Sequence, residues 1–190
     1  MNSMSKGNWQ DEKNCGCKKE KEDKKEEGTK VLLKCKTGIA KTVTVRGAAT
    51  VAAPVTTNLV EVSINTKHLS DPCIKFEFAT NLLAGTTGFA DPEAVTLSFQ
   101  LFKRCKGETV PTAIGNPWLF PSIVAGVTTI IGFIVCDCDC DCDCDDKNDC
   151  CTYFMSAITS TNNTTPADFA TLLFNNPTLS ALVVEKNKRC

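Results

Sequence analysis

Cysteine is the residue type with the greatest chemical capacity in this chain of 190 residues, which contains thirteen of them. Five, Cys136, Cys138, Cys140, Cys142 and Cys144, alternate strictly with aspartates. In an extended backbone the two-residue period turns these thiols to one face and the aspartates to the other. A row of thiols can cross-link chains, bind a soft metal, or end a strand in a reactive, solvated tail. Successive same-face positions lie about 6.6 Å apart at Cα, the outer limit of disulfide geometry, so their partners are expected on another strand or another chain. Structural zinc sites favour Cys-x-x-Cys knuckles, which the tract lacks, so a looser polythiolate cluster of these five cysteines is the alternative metal reading. The plainest reading is an acidic low-complexity hairpin insertion near 136–151, kept soluble by the seven aspartates that residues 137–149 set against one lysine.

The other cysteines fall into separate groups. Cys15 and Cys17 lie one residue apart, a poor spacing for pairing with each other, in a lysine- and glutamate-rich segment. The roughly thirteen residues from Cys17 to Lys30 reach about 45 Å when extended, enough to touch a neighbouring molecule. Cys35, Cys73, Cys105 and the terminal Cys190 sit on or beside strand-like runs. Small buried hydrophobe is a common fate for such cysteines. Cys35 shares a face with Val31 and Leu33 and is expected to be the most buried of these. Cys73 and Cys105 are placed at strand ends, where a thiol is accessible. Cys150 and Cys151 close the tract.

Enzyme chemistry has no foothold in the pattern. His68 is the only histidine, no nucleophile elbow or phosphate-cradling glycine run occurs, and the aspartate stretch lacks the spacing and turn glycine of a calcium loop. No catalytic residue and no cofactor is expected. A net charge of −1 with no basic face argues against nucleic acid. The first residues show no secretory signal, so synthesis in the cytoplasm is expected, where thiols stay reduced. The uncharged stretch from Trp118 to Val135 carries Pro121, two glycines and β-branched residues that suit strands better than a membrane helix, and no membrane partner is expected.

Residues 1–29 are too polar to order themselves and are expected to form a flexible arm. From residue 30 to 190 the texture becomes short β-branched runs punctuated by glycine, proline and asparagine. Strands are expected at 30–36, 41–45, 58–66, 73–81, 94–105, 127–138, 151–161 and 179–186, and a short helix at 167–174. Ile74-Lys75-Phe76-Glu77-Phe78 and Val95 to Leu101 alternate as antiparallel strands with one buried side do. About eight strands without alternating helices predict an all-β fold, a jelly-roll-like antiparallel sandwich.

A cysteine-bearing arm, a spacer and a β-sandwich with strand cysteines together resemble the endospore appendage pilins of spore-forming bacteria. The sandwich is similar to an uncharacterised clostridial family of cysteine-containing β proteins, through Val31 to Cys35, Asp71 to Phe78 and Leu97 to Cys105. The pilin resemblance implies a jelly roll whose subunits augment one another's sheets into a helical filament, with arm cysteines bonded to later subunits. It matches Cys15 and Cys17 to the arm positions and Cys35 to the first-strand cysteine. On this reading Cys15, Cys17, Cys35, Cys105 and Cys190 are intersubunit disulfide candidates, and Cys73, Cys150 and Cys151 are further disulfide candidates. The expected partners are copies of the same chain and other spore-surface proteins, at a spore surface reached when the mother cell lyses.

Overall fold

The computed structural model describes residues 30–47, 53–67, 69, 72–87, 95–120, 123, 125–138, 150–162, 164–165 and 168–185. Nine strands make up the architecture: β1 (Val31–Thr37), β2 (Lys41–Arg46), β3 (Val55–Asn65), β4 (Pro72–Thr87), β5 (Val95–Cys105), β6 (Thr112–Phe120), β7 (Thr128–Asp137), β8 (Cys150–Thr161) and β9 (Phe169–Glu185). Sheet A has the order β1-β9-β4-β7, with β2 also paired to β9, and sheet B has the order β3-β8-β5-β6. Every pairing is antiparallel. First strands pair with last, then β3 with β8, β4 with β7 and β5 with β6, so the chain is one long hairpin rolled up; the roll adds the β4–β9 and β5–β8 pairs. That is a jelly-roll sandwich.

Alternation drives this closure. Ala170, Leu172, Phe174, Leu179, Ala181 and Val183 of β9 point inward and are fully buried, opposite inward residues of β4 such as Phe76, Phe78 and Leu82. Sheet B answers with Leu97, Phe99, Leu101, Tyr153 and Met155. Each of the larger apolar side chains among them, valine, leucine, phenylalanine or methionine, contributes about 1.5–3 kcal/mol on burial. Rings meet between the sheets, with Phe78–Phe99 centroids at 5.6 Å, Phe99–Phe174 at 6.0 Å and Phe76–Tyr153 at 4.6 Å.

Two expectations are corrected. The segment 167–174 is not helical: from Phe169 it is the first part of β9, because Ala170, Leu172 and Phe174 satisfy a two-residue burial period that a helix would break. β6 was not expected at all, since Gly115-Asn116-Pro117 reads as a turn. Those residues form a bulge on an edge strand, between the Phe99–Trp118 and Leu101–Ile114 partners, where proline is tolerated. Gln100, buried opposite the bulge, donates from Nε2 to the Ile114 carbonyl at 2.9 Å and approaches that of Gly115 at 3.3 Å. β1 and β2 are one edge strand broken at Gly38, where a Cβ would stand 2.6 Å from the Leu59 carbonyl oxygen and the Gly38 N–H donates to Pro177 at 2.7 Å. The Trp118–Val135 stretch is divided between β6 and β7, and among the described residues no helix is long and apolar enough to cross a membrane.

Candidate functional site

The described cysteines separate by strand position. Cys105 ends β5 and Cys151 lies at the start of β8, and the two are register partners in the middle of sheet B, facing inward. They are disulfide-bonded across a Cα–Cα distance of 3.9 Å. A tight turn holds this end of the sheet: Gly107 has φ +92°, the Glu108 N–H donates to the Cys105 carbonyl at 3.0 Å, and the Cys105 N–H donates to Glu108 Oε2 at 2.8 Å. Cys105 therefore departs from its expected intersubunit role. Its placement inside the sandwich, 4% exposed, leaves it no surface on which to meet another chain.

Sheet A carries its cysteines on the outer face. Reading across β1, β9, β4 and β7, one row is Val31–Val184–Cys73–Cys138, the next is Leu33–Leu182–Lys75–Cys136, and the third is Cys35–Ser180–Glu77–Ile134. Cys73 and Cys138 form a disulfide with Cα atoms 4.3 Å apart. Cys138 thus finds its partner on a neighbouring strand, and in this state it is not available as a metal-binding thiolate. Cys35 and Cys136 are exposed thiols. For Cys35 this is a second correction. Its face, shared with Val31 (59% exposed) and Leu33 (69% exposed), looks away from the core instead of into it.

The tract obeys its two-residue period where it is described, yet its first aspartate is not a solvated one. Cys136 and Cys138 point outward from sheet A, while Asp137 points into the sandwich and is 6% exposed. Asp137 accepts a hydrogen bond from the Tyr153 hydroxyl at 2.9 Å and pairs with Lys103 Nζ at 3.3 Å, so one carboxylate ties β7 to both β8 and β5. Lys103 also lies 5.8 Å from the centre of the Tyr153 ring. In sequence Asp137 looks like the other six aspartates of 137–149, which is why sequence reasoning missed it. Beside it a recess of about 470 Å³ is lined by Lys103, Cys105, Glu108, Ile114 and Cys136.

On the outer face Lys75 stands opposite Cys136 and its ammonium donates to Glu77 at 2.8 Å. That hydrogen bond and the Glu77 charge, with a smaller contribution from Cys136, raise the Lys75 pKa above the ordinary lysine value. A shallow trough of about 670 Å³ runs along this face past Cys35, Glu77, Ile134, Ser180 and the Trp118 ring, which stacks on Phe133 at 5.0 Å. Cys150 is half-buried, with its carbonyl accepting from Lys106. Cys15, Cys17, Cys140, Cys142, Cys144, Cys190 and His68 lie outside the described residues, as does the whole expected arm. Among the described residues no group of three or more histidine, cysteine or acidic side chains is placed to hold a metal.

The chain is similar in structure to that of the infectious bursal disease virus Gx strain (TM-score 0.46, 8% identity, covering 82% of this chain and 38% of that one). It is similar also to the VP2 subviral particle of infectious bursal disease virus (TM-score 0.45, 7% identity, 83% and 38%). A third similar structure is a carbohydrate-binding module of the β-sandwich superfamily (TM-score 0.34, 9% identity, 76% and 55%). This chain spans under two-fifths of the two viral chains. No curated protein matches it. A family model described as a domain of unknown function, DUF4489, matches residues 29–184, which take in all nine strands but the last residue of β9, and the chain belongs to that family.

Proposed function

We propose that this protein is a structural subunit that assembles with copies of itself into a disulfide-cross-linked fibre on the spore surface. The observation that supports this reading best is β1, a strand with a single hydrogen-bonded neighbour, β9, and an exposed thiol, Cys35, on its outer face. An edge strand with unpaired backbone groups is a template for another strand. Sheet augmentation would supply the contact, and disulfides would lock it. Residues 1–29 precede β1 by a single residue, so Cys15 and Cys17 are tethered within about 55 Å of that edge at full extension and can reach across to a neighbouring subunit. The spore setting comes from the resemblance to appendage pilins, and other spore-surface proteins would be the further partners. Subunits made reduced in a mother cell would oxidise once released, which would put the chain's thirteen cysteines to use as cross-links.

The test is negative-stain electron microscopy of the purified full chain after oxidation, in denaturant with and without reductant. Fibres that survive denaturant and fall apart when reductant joins it are expected. A protein that stays monomeric under every oxidising condition sinks the reading. A Cys15→Ser, Cys17→Ser double variant is expected to give fibres that denaturant alone disperses.

A further inference from the structure

Of the four edges of the two sheets, those of sheet B, β3 and β6, contain no cysteine. The edges of sheet A each carry one exposed thiol: Cys35 on β1 and Cys136 on β7, both on the outer face. Within one molecule these two cannot bond. They are separated by three strand spacings, about 14 Å, against the ~7 Å that a disulfide spans at Cα.

From this placement we infer that β1 of one copy pairs antiparallel with β7 of the next, joining their A sheets edge to edge, and that Cys35 bonds to Cys136 of the neighbouring copy. The inference rests on the self-assembly reading above and names its contact. Three features fit it. Strand direction alternates from β1 through β9 and β4 to β7, so a second copy placed beside the first in the same orientation sets its β1 antiparallel to the first copy's β7. The contact joins unlike surfaces, and such heterologous contacts propagate into open filaments wherever the rotation between copies does not close a ring. The molecule already makes two disulfides of this kind between directly opposed residues of adjacent antiparallel strands, Cys73–Cys138 and Cys105–Cys151.

The register that opposes Cys35 to Cys136 has further consequences. It sets Lys34 opposite Asp137 and Leu33 beside the Cys73–Cys138 disulfide, and brings Thr37 against Ile134, which is 49% exposed in the single copy. β1 is flanked and filled by Lys30, Lys34 and Lys36, while the one charged residue of β7 is Asp137. Pairing β1 with β7 avoids the β1-with-β1 contact, in which lysines would face lysines. In the covalent step two thiols lose two protons and two electrons to form one S–S bond. A small-molecule disulfide accepts both and is reduced to two thiols.

The experiment uses the full chain carrying serine at Cys15, Cys17, Cys140, Cys142, Cys144, Cys150 and Cys190, so that only Cys35 and Cys136 remain outside the two internal disulfides. From it are made a Cys35→Ser and a Cys136→Ser variant, one of them isotope-labelled, and each is incubated with oxidised glutathione alone and mixed. The mixture is expected to give a covalent dimer whose non-reduced digest links the Cys35 peptide of one variant to the Cys136 peptide of the other, at about ten times the yield of either variant alone. Cross-linking of either single variant with itself overturns the head-to-tail contact. A second measurement, peptide mapping of oxidised wild-type protein, does not depend on the serine background. Wild-type fibres lacking any Cys35–Cys136 bond overturn the inference while leaving the assembly reading standing, whereas absence of fibres altogether removes both.

Discussion

The centre of sheet B and the margins of sheet A place the same residue in opposite circumstances. Cys105 follows Lys103-Arg104, and Cys35 lies between Lys34 and Lys36. In sequence both look like thiols at a charged strand position. Yet β5 has a neighbour on either side and its Cys105 faces the core, while β1 has one neighbour and its Cys35 faces solvent. A strand between two others has its inward face sealed by the opposite sheet, so a cysteine there is bonded within the chain and serves folding. Cys35 and Cys136, facing outward on edge strands and opposed by no cysteine of their own sheet, remain thiols and are left for contacts with other molecules. What decides is position in the sheet, which neighbouring residues do not encode.

The largest effect is expected at the centre. Replacing Cys105 and Cys151 together with serine should cost about 4 kcal/mol, from the lost constraint on a chain segment with a sequence separation of 46 and from hydroxyls placed where buried sulfur was. Urea unfolding under non-reducing conditions measures it. The Cys73–Cys138 bond has the longer separation, 65, so chain entropy alone predicts an equal or larger loss on its removal. Because it lies on the outer face, we expect a smaller loss, about 3 kcal/mol. If the outer bond proves the costlier, loop length and not burial sets the difference.

Next comes Asp137→Ala, expected to cost about 3 kcal/mol because it removes the buried carboxylate that pairs with Lys103 and accepts from the Tyr153 hydroxyl. Asp137→Asn, which can still accept from Tyr153, should recover part of that loss in the same unfolding assay. At the margins stability should scarcely move. Cys35→Ser or Cys136→Ser is expected to change it by under about 0.5 kcal/mol, since neither side chain is packed. Ile134→Lys on the outer face of β7 should be similarly mild for folding yet hinder assembly, read by light scattering, because it introduces a charge against Thr37 and Cys35 of an incoming β1.

Much of the fold is legible in the sequence because a buried face imposes a two-residue period. Val95 to Leu101 and Ile74 to Phe78 show it without ambiguity, and both become strands with odd or even positions inward. It fails where local chemistry serves a purpose that tertiary structure supplies. Gly115-Asn116-Pro117 is a turn signal until Gln100 is beneath it to satisfy the carbonyls. Phe169 to Phe174 is short enough to fit a helical stripe or a strand, and the inward faces of β2 and β4 choose between them. The candidate site is less legible. Alternation shows that the tract's thiols share one face, and with it that Cys138 must look to another strand for a partner. Which side of each strand faces the core is set only when both sheets close. For that reason Cys35 was expected inside and Cys105 at the surface, the reverse of where they lie.

Disulfide-linked assembly must change the state of particular thiols. Differential alkylation with mass-spectrometric readout, on monomer and on oxidised fibre, measures this for every cysteine at once. Cys35 and Cys136 should label fully in the native monomer and become resistant in the fibre until reductant is added, while Cys105 and Cys151 resist in both states. Labelling of Cys35 and Cys136 that is undiminished in mature fibres, or release of Cys105 or Cys151 during assembly, would contradict it.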